Sequence, residues 1–284
     1  MSVGGINRVA FALRHRLALA AVALVLVSGW AGLIGKILYL PWGTNVPETT
    51  VWAWERNEDL TFLDPKTTNV AFYAGTIRLR DDHVEFVPRI QKLDLGEEIR
   101  RYPVVRIHDM SSGNGLNSEN IEQVVSILKR SLQDVHSPNS EDGSIQIDYD
   151  ATSSQRQGYL ALLKRVRKEL PKGTHIAVTA LASWCLGDRW LPKSDIDEAV
   201  VMLFSMGAGK RDVVRLLEKQ RLSAGEGIPT SIGVATNEPL VNSRLRELGI
   251  VRAAKSVFVF CPLPWTEDRY QRLKTKVGCD ETKS

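Results

Sequence analysis

Two aspartates separated by one residue are the feature of this chain with the clearest capacity for chemistry. Asp148 and Asp150 end the run 145–150, which has the β-branched and apolar composition of a buried strand. Side chains alternate along a strand, so both carboxylates point the same way, with Cα atoms about 6.6 Å apart. Acids at the carboxyl end of a strand, just before a helix, lie where parallel α/β folds carry their active sites. The pair therefore predicts acid–base chemistry.

Eight short β-branched or apolar runs recur along the chain, most of them ended by Gly, Pro, Asp or Asn. Between several of them, apolar residues repeat at helical spacing. Ser118, a Thr152–Gln155 capping box and Gly209 mark the predicted starts of three helices. Buried strands that alternate with helices imply a parallel sheet covered on both faces. The predicted strands are 51–54, 70–73, 104–107, 145–149, 176–180, 200–204, 231–235 and 257–261.

This pattern predicts an α/β fold, a (β/α)8 TIM-type barrel in which some connections are too irregular for an assigned helix. Eight units over about 235 residues agree with the roughly 250 residues typical of this barrel. The alternative is an open doubly wound sheet, which normally has a glycine-rich phosphate turn after its first strand. The sequence at that point is Trp52-Ala53-Trp54-Glu55, which favours the barrel. We expect a linker at 41–50, the barrel at 51–270 and a C-terminal tail at 271–284.

The N-terminal segment predicts a membrane anchor. Residues 17–35 carry no charge, and they follow a basic tail, 1–16, that contains three arginines. An uncharged apolar run of this length spans a bilayer core as a helix, and the arginines favour a cytoplasmic tail. We therefore expect a single-pass anchor at 17–40 in the inner membrane, with the barrel facing the periplasm or exterior. A signal peptide cleaved near Ala31, which would release a secreted domain, is the alternative.

Charge and motifs exclude several classes of function. Residues 1–40 hold four cations and no anions, so the net charge of +4 falls to zero for the remainder. A neutral domain gives no electrostatic reason to expect a nucleic-acid partner. No His-Glu-x-x-His, Cys-x-x-Cys or Gly-x-Ser-x-Gly motif occurs, so no metal or other cofactor is predicted. Three sparse cysteines leave open one disulfide, Cys261 with Cys279. The sequence indicates no particular protein partner.

Aromatic and polar side chains follow several predicted strands, at the rim where a barrel carries its active site. An indole offers a flat apolar face and one N–H donor, which suits a sugar ring. Tryptophans beside carboxylates therefore predict a carbohydrate or polysaccharide ligand. Rim packing is the alternative for each tryptophan, and an ion pair with an aspartate is the alternative for Arg106. The predicted substrate-binding residues are Trp52, Trp54, Glu55, Tyr73, Arg106, Trp184, Met202 and Trp265.

Two resemblances extend this interpretation. Residues 51–56, 145–150 and above all 179–191 resemble a family of uncharacterised bacterial proteins, classed as a domain of unknown function, and the resemblance covers most of 50–266. More distantly, residues 143–150 resemble the fourth-strand motif Asp-x-x-Asp-x-Asp-x-Glu of the chitinase-type (family 18) glycoside hydrolases. Asp148 matches the last Asp and Asp150 takes the place of the catalytic Glu, while Gln146 and Gly143 replace the other acids. This resemblance implies a glycoside-hydrolase barrel.

The sixth strand departs from the pattern of that family. The family has Met-x-Tyr-Asp on this strand, and the corresponding residues of this chain are Met202-Leu203-Phe204-Ser205. The tyrosine and aspartate of the sixth strand, which in the family help to hold the substrate's acetamido group, are therefore missing. Asp150 is also one methylene shorter than Glu. Three functions stay open: a glycoside hydrolase with Asp150 as general acid and a second carboxylate such as Asp148, a non-catalytic barrel that binds glycan or protein, and a structural component of the envelope.

Overall fold

The computed structural model describes residues 47–81, 83–113, 115–134 and 143–277, without the side chains of 188, 208 and 274–277. The predicted anchor at 17–40 and Cys279 lie outside these residues. No helix within the described part of the chain has both the length and the apolar character that crossing a bilayer requires.

Eleven strands occur among the described residues. In chain order they are β1 (Glu48–Ala53), β2 (Glu58–Asp59), β3 (Thr68–Leu79), β4 (Val84–Pro88), β5 (Leu93–Asp94), β6 (Arg101–Asp109), β7 (Ser144–Asp148), β8 (His175–Leu181), β9 (Glu198–Met202), β10 (Thr230–Ala235) and β11 (Ser256–Phe260).

Eight of these strands form a closed parallel ring in the order β1-β3-β6-β7-β8-β9-β10-β11, because β1 pairs with both β3 and β11. Each predicted strand falls on one ring strand, so the predicted TIM-type barrel is confirmed. The first strand begins at Glu48, inside the predicted linker. Thr49 and Thr50 are β-branched and buried there, and they pair with Val257 and Phe258. Because these residues also pair with β3 on the other side, β1 begins earlier in the sequence than predicted.

The helical layer is incomplete. The described helices are α1 (Ser118–Gln133), α2 (Arg156–Glu169), α3 (Lys210–Lys219), α4 (Pro239–Glu247), α5 (Ile250–Ala253) and α6 (Glu267–Val277). Among the described residues, no α-helix follows β1, β3 or β8 before the next ring strand. The two-stranded β2–β5 sheet, the antiparallel β3–β4 pair and a single π-helical turn, Trp184–Asp188, lie there instead.

The helix boundaries follow their capping chemistry, with two corrections to the predictions. The side chain of Asn117, not Ser118, caps α1 by accepting a hydrogen bond from the backbone N–H of Asn120 at 2.9 Å. The predicted Thr152–Gln155 capping box is present. The segment predicted as the C-terminal tail contributes the end of α6, which extends to Val277.

The ring strands are buried on both faces, as a parallel sheet requires. Their outward side chains pack beneath the helices, as Ile147 and Val201 do in the main core cluster. Their inward side chains form a second cluster that fills the barrel. This inner cluster consists of Trp52, Ala71, Val104, Val200 and Phe258.

An ion cluster lies at the amino-terminal end of the barrel. The carboxylate of Glu198, which is 4% exposed, lies 2.6 Å from Lys255 Nζ and 3.3 Å from His175 Nε2. The Ser231 hydroxyl donates a hydrogen bond to the same carboxylate. Burial alone would raise the pKa of Glu198, but the hydrogen bonds from His175, Lys255 and Ser231, with the charge of Lys255, lower it to about 2.

This cluster predicts acid-dependent stability. The folded-state pKa of Glu198 lies below its ordinary value of 4.5, so the stabilisation is complete above that pH and is lost as pH falls towards 2. Glu198→Gln should lower the free energy of unfolding at pH 7 by about 2–3 kcal/mol and weaken its dependence on acid. Urea denaturation at pH 7 and pH 3 measures both effects. Glu97→Gln, an exposed control, should change stability by less than about 0.5 kcal/mol; equal losses in both variants would contradict the prediction.

A glycine on β10 gives the aromatic rings inside the barrel their space. A Cβ at Gly233 would lie 2.8 Å from Trp52 Cη2 and 3.2 Å from Phe204 Cε1. Gly233→Ala should therefore destabilise the fold by about 1–3 kcal/mol through overpacking and should shift tryptophan fluorescence. Gly96→Ala, where a Cβ meets no atom within 4 Å, is the control. A Gly233→Ala protein with unchanged stability and fluorescence would show that the rings have room to move.

Candidate active site

A pocket of about 570 Å³ opens at the carboxyl end of the barrel, within the size range of small-molecule sites. Residues on or just after six ring strands, in the segment leading into α3 and on α3 itself form its walls. They are Trp52, Trp54, Arg106, Asp148, Asp150, Thr179, Leu181, Ala182, Ser183, Met202, Phe204, Ser205, Met206, Gly209, Val213 and Phe260.

Asp148 is the more buried acid of the pair, with a side chain 12% exposed. It is the last residue of β7, and the Thr179 hydroxyl on neighbouring β8 donates a hydrogen bond to its Oδ1 at 2.7 Å. Burial raises the pKa of Asp148 to about 6, and the charge of Asp150 adds to the rise, while Thr179 and Arg106 oppose it. A carboxyl group with this pKa holds a proton in the more acid part of the physiological pH range.

Asp150 lies two residues beyond Asp148 and is exposed at the pocket. The surrounding protein partly removes water from its carboxyl group, which raises the pKa of Asp150, and the positive charge of Arg106 opposes this rise. The Arg106 Nε lies 3.9 Å from Asp148 Oδ2, at the limit of an ion pair, and the Arg106 side chain is 45% exposed. Arg106 therefore contacts the pair without enclosing it, so the carboxylates stay open to a ligand.

Aromatic rings form much of the remaining surface. The ring centroids of Trp52 and Phe204 are 5.9 Å apart. The rings of Phe204 and Phe260 are stacked, with their centroids 5.6 Å apart and an interplanar angle of 11°. The indole Nε1 of Trp52 donates a hydrogen bond to Gln146 Oε1 at 3.1 Å, which fixes the ring. Gln146 itself is fully buried beneath the pocket, and its Nε2 has no hydrogen-bond partner among the described residues. This amide stands where the chitinase-type motif has its middle Asp.

The structure brings together six of the ten predicted site residues, since they all line this pocket. They are Trp52, Trp54, Arg106, Asp148, Asp150 and Met202. Tyr73 lies just outside, 5% exposed, with its ring centroid 5.3 Å from that of Trp54. Its hydroxyl hydrogen-bonds with Thr76 at 2.8 Å, and the exposed Glu55 carboxylate also hydrogen-bonds with it. Tyr73 therefore packs against Trp54 from outside the pocket lining, and Glu55 contacts Tyr73.

Two of the predicted tryptophans do not line the pocket. Trp184 is 3% exposed and packs in the outer core, with its ring centroid 4.8 Å from that of Trp190. The π-helical turn that begins at Trp184 directs this ring away from the barrel mouth. Trp265 is 4% exposed, and its Nε1 donates to the backbone oxygen of Trp52 at 3.1 Å. The backbone N–H of Trp265 donates to the buried carboxylate of Glu58 at 2.8 Å. Trp265 thus supports the strand that carries Trp52.

Several lining residues were not among the predicted ones. Thr179 and Leu181 point inward on β8, and Phe260 points inward on β11. The two-residue alternation of strands could have identified all three once the inward face was fixed by Trp52 and Asp148. Val213 enters from α3, and no strand pattern could have indicated it.

The described residues include two cysteines, and both lie away from the lining of this pocket. Cys185 and Cys261 are buried free thiols, and burial raises the pKa of Cys185 to about 12. Thiolate chemistry is therefore disfavoured at Cys185. Within the described ranges, no group of three or more His, Cys, Asp or Glu side chains could hold a metal ion.

No protein-family model and no curated protein sequence matches this chain. Solved structures do share its fold. The spore cortex-lytic enzyme SleL of Bacillus cereus aligns with a TM-score of 0.52 at 10% identity, over 83% of this chain and 76% of that chain. SleL of Bacillus megaterium QM B1551 aligns with the same score and identity over 82% and 75%. A chitinase of Rhizomucor miehei aligns with a TM-score of 0.51 at 10% identity, over 82% and 98%.

At 10% identity these alignments show a common fold. The barrel fold that the sequence resemblance to chitinase-type proteins implied is confirmed at this level, and the chain shares this fold with the three aligned structures.

Proposed function

We propose that this protein binds a polysaccharide in the pocket at the carboxyl end of the barrel and hydrolyses a glycosidic bond there. The observation that carries the proposal is the pair Asp148 and Asp150, two carboxyl groups with raised pKa values that share a pocket with indole rings. Glycoside hydrolysis typically uses two carboxyl groups, one of which must retain a proton to protonate the leaving oxygen.

The two acids take different roles because their environments differ. Asp150 is the more exposed acid and would donate the proton to the glycosidic oxygen, as the chitinase-type motif implies for its position. Asp148 lies largely buried beside it, and the charge of Asp150 helps to raise the pKa of Asp148 to about 6. Below about pH 6 Asp148 holds a proton, so the pair then carries at most one negative charge. Activity that needs this proton should therefore fall as pH rises above that value.

The pocket walls and the fold relatives support a sugar ligand. Trp54 is half-buried and lines the pocket, so its ring is available for stacking against the C–H face of a sugar. The aligned structures are named as spore cortex-lytic enzymes and as a chitinase. We propose an envelope location for this activity, from the uncharged segment 17–35.

A non-catalytic glycan-binding barrel is the second candidate. Phe204 stands where the chitinase-type pattern has a tyrosine, and no tyrosine occurs among the described residues that line the pocket. An acetamido group therefore lacks the hydroxyl that would hold it as an internal nucleophile. The hydrolase proposal instead requires that water or a carboxylate attacks directly.

Substitution of the acids separates the two candidates. Asp150→Asn and Asp148→Asn should each reduce hydrolysis of bacterial polysaccharides by about 10²- to 10⁴-fold, the usual contribution of a general acid or base, while glycan binding persists. Release of reducing ends measures the rate, and calorimetry measures binding. Asp212→Asn, 76% exposed on α3, is the control. A wild-type protein that binds but hydrolyses no glycan in the panel would favour the second candidate.

Thr179 tunes the proton on Asp148. Its hydroxyl stabilises the charged carboxylate, so Thr179→Val should raise the pKa of Asp148 further, whereas Thr179→Ser should keep it close to the wild-type value. Carbon-13 NMR of the aspartate carboxyl groups over a pH series measures this without an activity assay. A lower pKa in Thr179→Val would show that the hydroxyl does not donate to Asp148.

A further inference from the structure

One sector of the pocket wall is aliphatic. Leu181 at the end of β8, Met202 at the end of β9, and Met206 and Val213 around the start of α3 all line the pocket. These side chains offer no N–H or O–H donor and no strong acceptor. Sugar hydroxyls against them would lose hydrogen bonds to water without replacement, which is unfavourable.

The charged groups gather in a different sector, whereas the hydroxyl-bearing residues Thr179, Ser183 and Ser205 lie on β8, just after it and next to Met206. Asp148 and Asp150 belong to β7 and the residues after it, and Arg106 belongs to neighbouring β6. On the side of the aliphatic sector away from β7, Phe204 and Phe260 continue the apolar surface with stacked rings that have no polar atom. The pocket thus has a charged part and an apolar part that open into the same space.

Polar contacts hold in place the segment that carries Met206 and leads into α3. Ser205, in the left-handed conformation with φ 53°, turns the chain between β9 and α3. Its backbone N–H donates to Glu238 Oε1 at 2.7 Å, and Lys210 Nζ lies 2.5 Å from Glu238 Oε2. Met206 lies between the two anchored residues, and Val213 is one turn further along α3. The wall is therefore positioned before any ligand binds.

From this division we infer that the ligand is an amphiphilic glycoside, a sugar that carries an alkyl or acyl chain. The inference rests on the proposed function and specifies its substrate class. The sugar lies at the two aspartates and Trp54, and the chain extends along the surface formed by Leu181, Met206 and Val213. The alkyl or acyl chain supplies the apolar partner for these side chains that the sugar units of a polysaccharide do not.

Binding of alkyl glycosides of increasing length tests the inference. We would titrate the Asp150→Asn protein with methyl, butyl and octyl β-glycosides of N-acetylglucosamine, below their micelle concentrations, in a calorimeter. Each methylene buried against the wall should strengthen binding by roughly fourfold, so the butyl glycoside should bind at least about tenfold more tightly than the methyl one. Equal affinities for the three ligands would overturn the inference.

Matched variants locate the chain-binding surface. Val213→Ser and Met206→Ser should each reduce, at least about threefold, the increase in affinity from the methyl to the butyl glycoside. The melting temperature of each variant shows that it is folded. Leu216 lies on the same helix, is 41% exposed and does not line the pocket. Leu216→Ser should therefore keep the full increase in affinity from methyl to butyl. A gain that survives both pocket substitutions, or that Leu216→Ser also removes, would contradict the assignment.

Cleavage by the wild-type protein is measured separately on the same glycosides. Length-dependent binding without cleavage would support the apolar-chain site and count against the hydrolase. Cleavage without length dependence would support the hydrolase and overturn the inference.

Discussion

The pairing of β1 with both β3 and β11 is the constraint on which the rest of the structure depends. It closes eight parallel strands into a ring, so every carboxyl-terminal strand end opens on the same side. Asp148 on β7 and Trp52 on β1 are 96 residues apart in sequence, yet closure places both at one pocket. Trp265, which follows β11, reinforces this closure by donating its indole N–H to the backbone of Trp52.

The same closure sets the electrostatics of the two ends of the barrel. At the amino end, the buried Glu198 has Lys255, His175 and Ser231 around it, and its pKa falls to about 2. At the carboxyl end, the buried Asp148 has one hydroxyl donor and only a distant Arg106, and its pKa rises to about 6. The first arrangement satisfies a charge and stabilises the fold. The second leaves a charge under-satisfied, which is typical of a functional site.

The sequence was sufficient to predict the strands and the position of the acids, because parallel barrel strands are continuous β-branched runs and their ends share a rim. It was not sufficient to predict which rim residues turn inward. Trp184 follows the end of β8 and Trp52 lies near the end of β1, so both are close to the same rim, but a π-helical turn carries the ring of Trp184 into the outer core. The aliphatic side chain of Val213 reaches the pocket from a helix, and that contact depends on tertiary packing. The end of α6 falls in the segment predicted as a tail, 271–284, and Leu273 in that segment is buried.

The central claim is that a glycan binds against Asp148 and Asp150 at the carboxyl end of the barrel. Carbon-13 carboxyl resonances of the protein, followed by NMR while a soluble oligosaccharide of N-acetylglucosamine is added, test it most directly. The account predicts that the Asp148 and Asp150 signals move together at saturable concentrations while the signal of Glu198, at the opposite end, stays in place. Saturable binding that leaves both aspartate signals unmoved would contradict it.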